Sequence, residues 1–216
     1  MSTKEKNLEL ERLVFFSDAI VAIAITILVF GVKLDIPAGN ALTYHDLLRA
    51  WPSFLAFFLS FFIIALFWMI HHRFFCHIRD INEVLLWNNI AWLLFVALLP
   101  FSTTLIAMHF QNKPAMVVYC GNVFMITIFQ NNIWDYASKN GRFLKTDVDE
   151  RIILFYRRSC NVAMINSVIS LVLAFFFPLA AFINLVARIP SVVLARRIFK
   201  LMKLREVKER KLSNQR

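Results

Sequence analysis

Charge is scarce in this chain of 216 residues. Asp, Glu, Lys and Arg together make up 18%, against 59% hydrophobic residues. A soluble domain carries about 25% charge and about 45–50% apolar residues, so this composition argues against a water-soluble globule. The mean hydropathy of +0.63 points the same way. Glycine is rare, at four residues. Short segments of alternating polarity, the mark of a transmembrane barrel, are missing. Cysteine is limited to Cys76, Cys120 and Cys160. Their odd number and the lack of a CxxC spacing argue against a metal or disulfide framework, and they are expected to be packing residues. No small-residue cleavage site follows the first apolar run, which is long enough to span, so a removed signal is not expected. What remains is a phenylalanine-rich, helical, integral membrane chain.

A helix needs about 20 mostly apolar residues to cross the hydrocarbon. Val14 to Val32 qualifies with Asp18 as its only charge but Lys33 at its edge, and Trp51–Ile70, Val84–Met108 and Pro114–Trp134 carry no charge. Ser159 to Ala187 is uncharged for 29 residues, long for one helix and short for two. The excess of Lys and Arg expected on cytoplasmic loops decides this. Split at Pro178, the chain has six spans with both termini on one side, and that side holds 21 Lys and Arg against 3 on the other. The sixth span, about Leu179 to Arg196, is interrupted by Arg188 and Pro190. The expected organisation is a membrane unit over 1–196 and a basic cytoplasmic tail over 197–216. From Arg196 to Arg216 the end of the chain carries nine Lys or Arg against two Glu. That suits contact with anionic lipid. With no aromatic residues among the charges, it does not suit nucleic acid.

The stretch Phe15-Phe-Ser-Asp-Ala-Ile-Val-Ala-Ile poses the main question. A carboxylate at the centre of a membrane helix costs about 2.5–3.5 kcal/mol on insertion scales, and such residues face protein or water rather than lipid. At 100° per residue, Phe16, Ile27 and Phe30 fall within about 40° of Ile23, and Thr26 lies about 60° away. Ser17 and Asp18 turn about 120° and 140° away from Ile23. The Ile23 face is either ordinary packing or a lining. Asp18 needs donors from neighbouring helices. Trp68, His71 and His72 close the second span, and Asn88 and Asn89 open the third. Indole, imidazole and carboxamide groups can all donate to a carboxylate, and the topology places all of them near inner ends. Adjacent His71 and His72 point about 100° apart with no third ligand, so a metal site is not expected.

Arg12-x-x-x-Phe16-Ser17-Asp18 is an RxxxFSD motif opening the first helix. It is followed by AIVAIAITILV, by Trp68-x-x-His71 and by NIAWLLFVALLPFST. In span order and over nearly the whole chain, these resemble the potassium channel family called transmembrane protein 175, in its single-repeat prokaryotic form. The resemblance implies an all-α bundle of six transmembrane helices, assembled as a homotetramer around a pore lined by the first helix. It implies a hydrophobic constriction at Ile23, with Ile27 and Phe30 as further pore rings, and a threonine layer at Thr26. It also implies a structural polar network of Asp18, Trp68, His71 and Asn89, with Arg12 and Ser17 of the same motif. Asn89 is favoured over Asn88 by its spacing of eleven from Pro100.

These expectations describe a K⁺-selective channel in the cell membrane of a prokaryote. The chain lacks a TVGYG-like loop, so a filter of backbone carbonyls of the usual kind is not available. Potassium ions and lipid are the expected partners, with no cofactor. Two other classes compete with this one. A proton pathway or secondary transporter would use Asp18 and His71 as titrating groups, but inverted repeats and broken midplane helices are not visible. A membrane enzyme would need a nucleophile or a second carboxylate beside that pair, and neither is present.

Overall fold

The computed structural model describes residues 3–34, 41–190 and 197. Within these, α1 (Thr3–Ile27) runs into a 3-10 turn (Leu28–Gly31), followed by α2 (Tyr44–Arg49), α3 (Trp51–His77), α4 (Glu83–Met108), α5 (Lys113–Ser138), α6 (Glu150–Phe176) and α7 (Pro178–Pro190). Among the described residues, five segments are long and apolar enough to cross a membrane: Leu8–Gly31 and the whole of α3, α4, α5 and α6.

The helix starts follow local chemistry. Asn82 accepts from the Leu85 N–H, Asn112 from the Ala115 N–H and Asp149 from the Arg151 N–H, so each supplies an acceptor that the first turn lacks. Thr43 and Asp46 form a reciprocal capping box on α2. The Thr43 hydroxyl and N–H hold the Asp46 carboxyl below the usual carboxylate range. Asp149 moves the start of α6 nine residues ahead of the uncharged stretch, so Arg151, Arg157 and Arg158 are helical. Phe177 breaks the helical path with φ −132° and ψ 79°, and α7 restarts at Pro178. A proline is tolerated in the first turn because its missing N–H would have no partner there.

The expected sixth span is represented by α7. Its thirteen residues cover about 20 Å at 1.5 Å each, short of a full crossing. Residues 191–196 and the basic tail, apart from Arg197, lie outside the described residues.

α4 is the centre of the bundle and packs against α1, α3 and α5, while α6 packs on α5. Leu85, Trp92, Val96, Leu99 and Ile106 of α4 are fully buried, as are Tyr119, Val123, Ile126, Ile133 and Trp134 of α5. Phe74, Trp134 and Tyr156 form an aromatic cluster with ring centroids 4.6–5.4 Å apart. Below it, the Arg79 N–H donates to the Phe143 carbonyl and the Lys145 N–H to the His77 carbonyl, tying the α3–α4 loop to the α5–α6 loop. Cys120 and Cys160 are buried, but Cys76 is exposed and not a core packing residue. Apolar content alone does not place it, because α3 is apolar on every side.

Lipid is as apolar as leucine, so helix association in a membrane depends on close packing and hydrogen bonds. A polar seam serves that purpose here. The Thr103 hydroxyl lies 2.7 Å from Ser60 Oγ, Ser60 lies 2.9 Å from the Tyr119 hydroxyl, and the Asn122 amide donates to Ser102 at 3.2 Å. This joins α3, α4 and α5 beside Pro100. Sequence reasoning passed over it, although serines and threonines inside apolar spans are its visible signal.

Candidate functional site

Leu13, Ser17, Val21, Ala24 and Leu28 form the buried stripe of the first helix. Their spacings of three and four residues mark one helix face, which packs on α3 and α4. On the opposite face Phe16, Ile23, Thr26, Ile27 and Phe30 are exposed. Ile23 retains 57% exposure and Phe30 76%. The 3-10 winding adds a consequence. With about three residues per turn, Phe30 comes to lie above Ile27, continuing the same line. The Thr26 hydroxyl donates to the Ile23 carbonyl at 2.8 Å, so its proton is committed to the backbone and its oxygen lone pairs are presented outward.

A polar brace stands behind this face. The Trp68 indole N–H donates to the Asp18 carboxylate at 2.8 Å. His71 Nε2 and the Asn89 side-chain oxygen are 2.7 Å apart, and the Asn89 amide donates to the Ser17 hydroxyl oxygen at 2.9 Å. Ser17 donates in turn to the Leu13 carbonyl at 2.8 Å. Read from its end, the chain fixes its own direction. Ser17 gives its proton to a carbonyl and therefore accepts from the Asn89 amide. The Asn89 oxygen is left to accept, so His71 Nε2 carries the proton. Trp92 stacks on the His71 ring at 4.3 Å, with 13° between planes. Ser17, His71 and Asn89 are buried, and Asp18 is half-buried.

The structure thus brings Ser17, Asp18, Trp68, His71 and Asn89 together from three helices. Asn88 is half-buried and, among the described residues, bonds its own helix, at the Val84 carbonyl. Arg12 is a correction. It is exposed and makes no hydrogen bond or ion pair with the brace. The physical reason is its phase. Eleven residues before Ile23 is about three turns, which puts Arg12 on the outward stripe and not on the buried one. His72 is exposed and lies 3.7 Å from Cys76, and no group of three metal-ligating side chains occurs among the described residues.

The Asp18–Trp68 bond can be tested directly. Asp18→Asn keeps an oxygen that can accept from the indole but removes the charge. Hydrogen bonds to charged groups contribute about 1.5–3 kcal/mol against about 0.5–1.5 for neutral ones. The expected result is a loss of about 1–2 kcal/mol in stability by thermal unfolding, with ion selectivity unchanged. A well-assembled variant with strongly altered reversal potentials would count against a bracing role.

Comparison with known proteins supplies an independent line. Residues 12–100 match a family model described as the endosomal/lysosomal potassium channel TMEM175. A potassium channel from Chamaesiphon minutus is 35% identical over 148 residues, covering 65% of this chain and 72% of that protein. The endosomal/lysosomal proton channel TMEM175 of Rattus norvegicus is 33% identical over 143 residues, covering 59% of this chain and 28% of that protein. Among solved structures, a lysosomal potassium-selective channel TMEM175 homolog from Chamaesiphon minutus superposes with a TM-score of 0.77 at 27% identity, over 86% of this chain and 97% of that one.

Proposed function

Because this chain belongs to the TMEM175 family of ion channels, we propose that it is a potassium-selective channel whose pore is lined by the first helix of four subunits. The observation that carries this reading is the exposed stripe of Ile23, Ile27 and Phe30, held from behind by the buried brace. One chain contributes one such helix, and a closed cyclic assembly surrounds a pore. The stripes of four subunits then stack three apolar rings. An apolar ring conducts when it is wide enough to stay wet and closes by dewetting. Selectivity rests on the cost of partly dehydrating the ion, which is lower for K⁺ than for Na⁺, and the Thr26 oxygens replace part of the lost water. Both termini face the cytoplasm across the cell membrane of a prokaryote, as the charge count of 21 against 3 favours.

The test is K⁺ flux from liposomes holding the purified chain under a K⁺ gradient. Electrogenic conduction shows as flux that needs a protonophore to dissipate charge. Flux independent of the protonophore, or none at all, refutes the reading. Subunit number is a separate expected result. Four chains of 25.2 kDa give a protein mass of about 101 kDa in a closed cyclic assembly, measurable in detergent by light scattering. A stable, active monomer would overturn it.

A second reading, proton conduction, is favoured by the name of the rat relative. The brace supports it poorly. Asp18 and His71 are not bonded to each other, an indole N–H has no acceptor site through which to pass a proton on, and the His71 chain ends on a backbone carbonyl. Reversal potentials that follow a pH gradient and ignore a K⁺ gradient would favour the proton.

A further inference from the structure

The outward stripe of the first helix does not end at its apolar residues. Alternating steps of three and four, counted inward from Thr26, give Ile23, Ala19, Phe16, Arg12 and Glu9, and every one of them is exposed. That alternation is the seven-residue repeat by which helices align one face along a shared axis. It runs without a break, because α1 is helical from Thr3 onward. At 100° per residue Arg12 lies about 20° and Glu9 about 40° from Ile23, whereas Glu11, between them, lies about 120° away. Eleven residues place Arg12 about 16 Å inward of Ile23, and Glu9 stands about 4–5 Å beyond it. Half the hydrocarbon thickness is about 15 Å. With Ile23 toward the middle of the membrane, Arg12 stands at the inner edge of the hydrocarbon and Glu9 beyond it on the cytoplasmic side. Among the described residues neither side chain has an ion-pair partner within the protomer.

We propose that Glu9 and Arg12 form two rings of opposite charge at the cytoplasmic mouth of the pore, and that the Arg12 ring sets the rate at which K⁺ enters from that side. This inference rests on the channel reading above. Assembly creates the rings: one subunit supplies a single carboxylate and a single guanidinium, and four supply four of each. A cation arriving from the cytoplasm meets the carboxylates first, and they raise its local concentration. It then meets four guanidinia, which oppose it and which no ordinary pH discharges. Arg12 lies deeper, between the walls of four helices, where its field is screened less than that of Glu9 at the rim. The arginine ring therefore has the larger effect. Both rings are about 16 Å or more from Ile23, so they act alike on every monovalent cation and leave the choice between K⁺ and Na⁺ to the constriction.

The experiment is single-channel recording from inside-out patches that carry the full chain, in symmetrical K⁺ at low and at high ionic strength. Arg12→Gln should raise outward current at least about twofold at low salt, with a smaller change in inward current. The gain should vanish near 1 M salt, where the screening length is about 3 Å. Arg12→Lys, which keeps the charge, should conduct as the unmodified chain does. Glu9→Gln should lower outward current at low salt, by less than Arg12→Gln raises it. Glu11→Gln, exposed but off the stripe, should change nothing. All four variants should keep the K⁺ over Na⁺ reversal potential of the unmodified chain. Outward current that Arg12→Gln leaves unmoved at low salt, or moves equally at high salt, overturns the proposal. So does an effect of Glu11→Gln equal to that of Glu9→Gln. If Arg12→Gln fails to assemble, the comparison of Glu9→Gln with Glu11→Gln decides. An unmodified chain that carries no K⁺ current refutes the channel reading itself, and this inference with it.

Discussion

Ile23→Asn is expected to raise open-channel conductance and bring K⁺ over Na⁺ discrimination close to unity. Ile23 lies about 7–8 Å outward of Asp18 along the helix axis, from five residues at 1.5 Å each. That is toward the middle of the membrane, where a dry ring is the strongest barrier. Its side chain is exposed in the protomer, so substitution leaves the core of the subunit intact. Four carboxamides in place of four sec-butyl groups hydrate the narrowest layer. The dehydration cost that separates the two ions then falls, and the dewetting barrier falls with it. Bilayer recordings of conductance and reversal potential in mixed K⁺ and Na⁺ measure both. Val172→Asn, on the exposed side of α6, should alter neither. If Ile23→Asn changes nothing while an Ile27 or Phe30 substitution changes both quantities, the constriction lies one or two turns further out.

The second large effect is expected from Asn89→Leu. The two side chains are close in size, so packing changes little. Two bonds are lost: His71 Nε2 keeps a proton with no acceptor, and Ser17 loses the amide that donates to it. Both groups are buried, and a buried polar group left unsatisfied costs about 1–3 kcal/mol. The sum is about 2–6 kcal/mol. A chain of this size loses about 2–4 °C of melting temperature per kcal/mol, so a fall on the order of 10 °C is expected. Asn88→Leu, one residue earlier, half-buried and bonded within its own helix at the Val84 carbonyl, should cost no more than about 1 kcal/mol. Equal melting temperatures for the two variants would remove the brace from any role in holding α1 against α3 and α4.

Much of this was legible in the chain itself. Hydropathy and length located the five long spans, because crossing hydrocarbon is a requirement each segment meets alone. The 3.6-residue period separated Ser17 and Asp18 from Ile23, Ile27 and Phe30. The resemblance, through the spacing from Pro100, favoured Asn89 over Asn88, and the structure buries Asn89. Where a reading depended on a neighbour, it was less secure. Arg12 was grouped with Asp18 because both stand in one motif, yet six residues put them on different sides of the helix. Arg188 reads in sequence only as an interruption of the sixth span, and its burial depends on the helices packed around it.

The sequence by itself determined the solvent of this protein, the number of its long spans and the azimuth of each side chain about its own helix, all of which depend on local composition and a fixed period. Only the tertiary structure decided which azimuth meets which neighbour. The bonds from Trp68 to Asp18 and from Asn89 to Ser17 join residues 50 and 72 positions apart. No local periodicity encodes such a pairing, because it depends on the relative depth and rotation of two packed helices. The same holds for the seam from Ser60 to Tyr119 and for the burial of Arg188, each of which exists only where three or four helices converge.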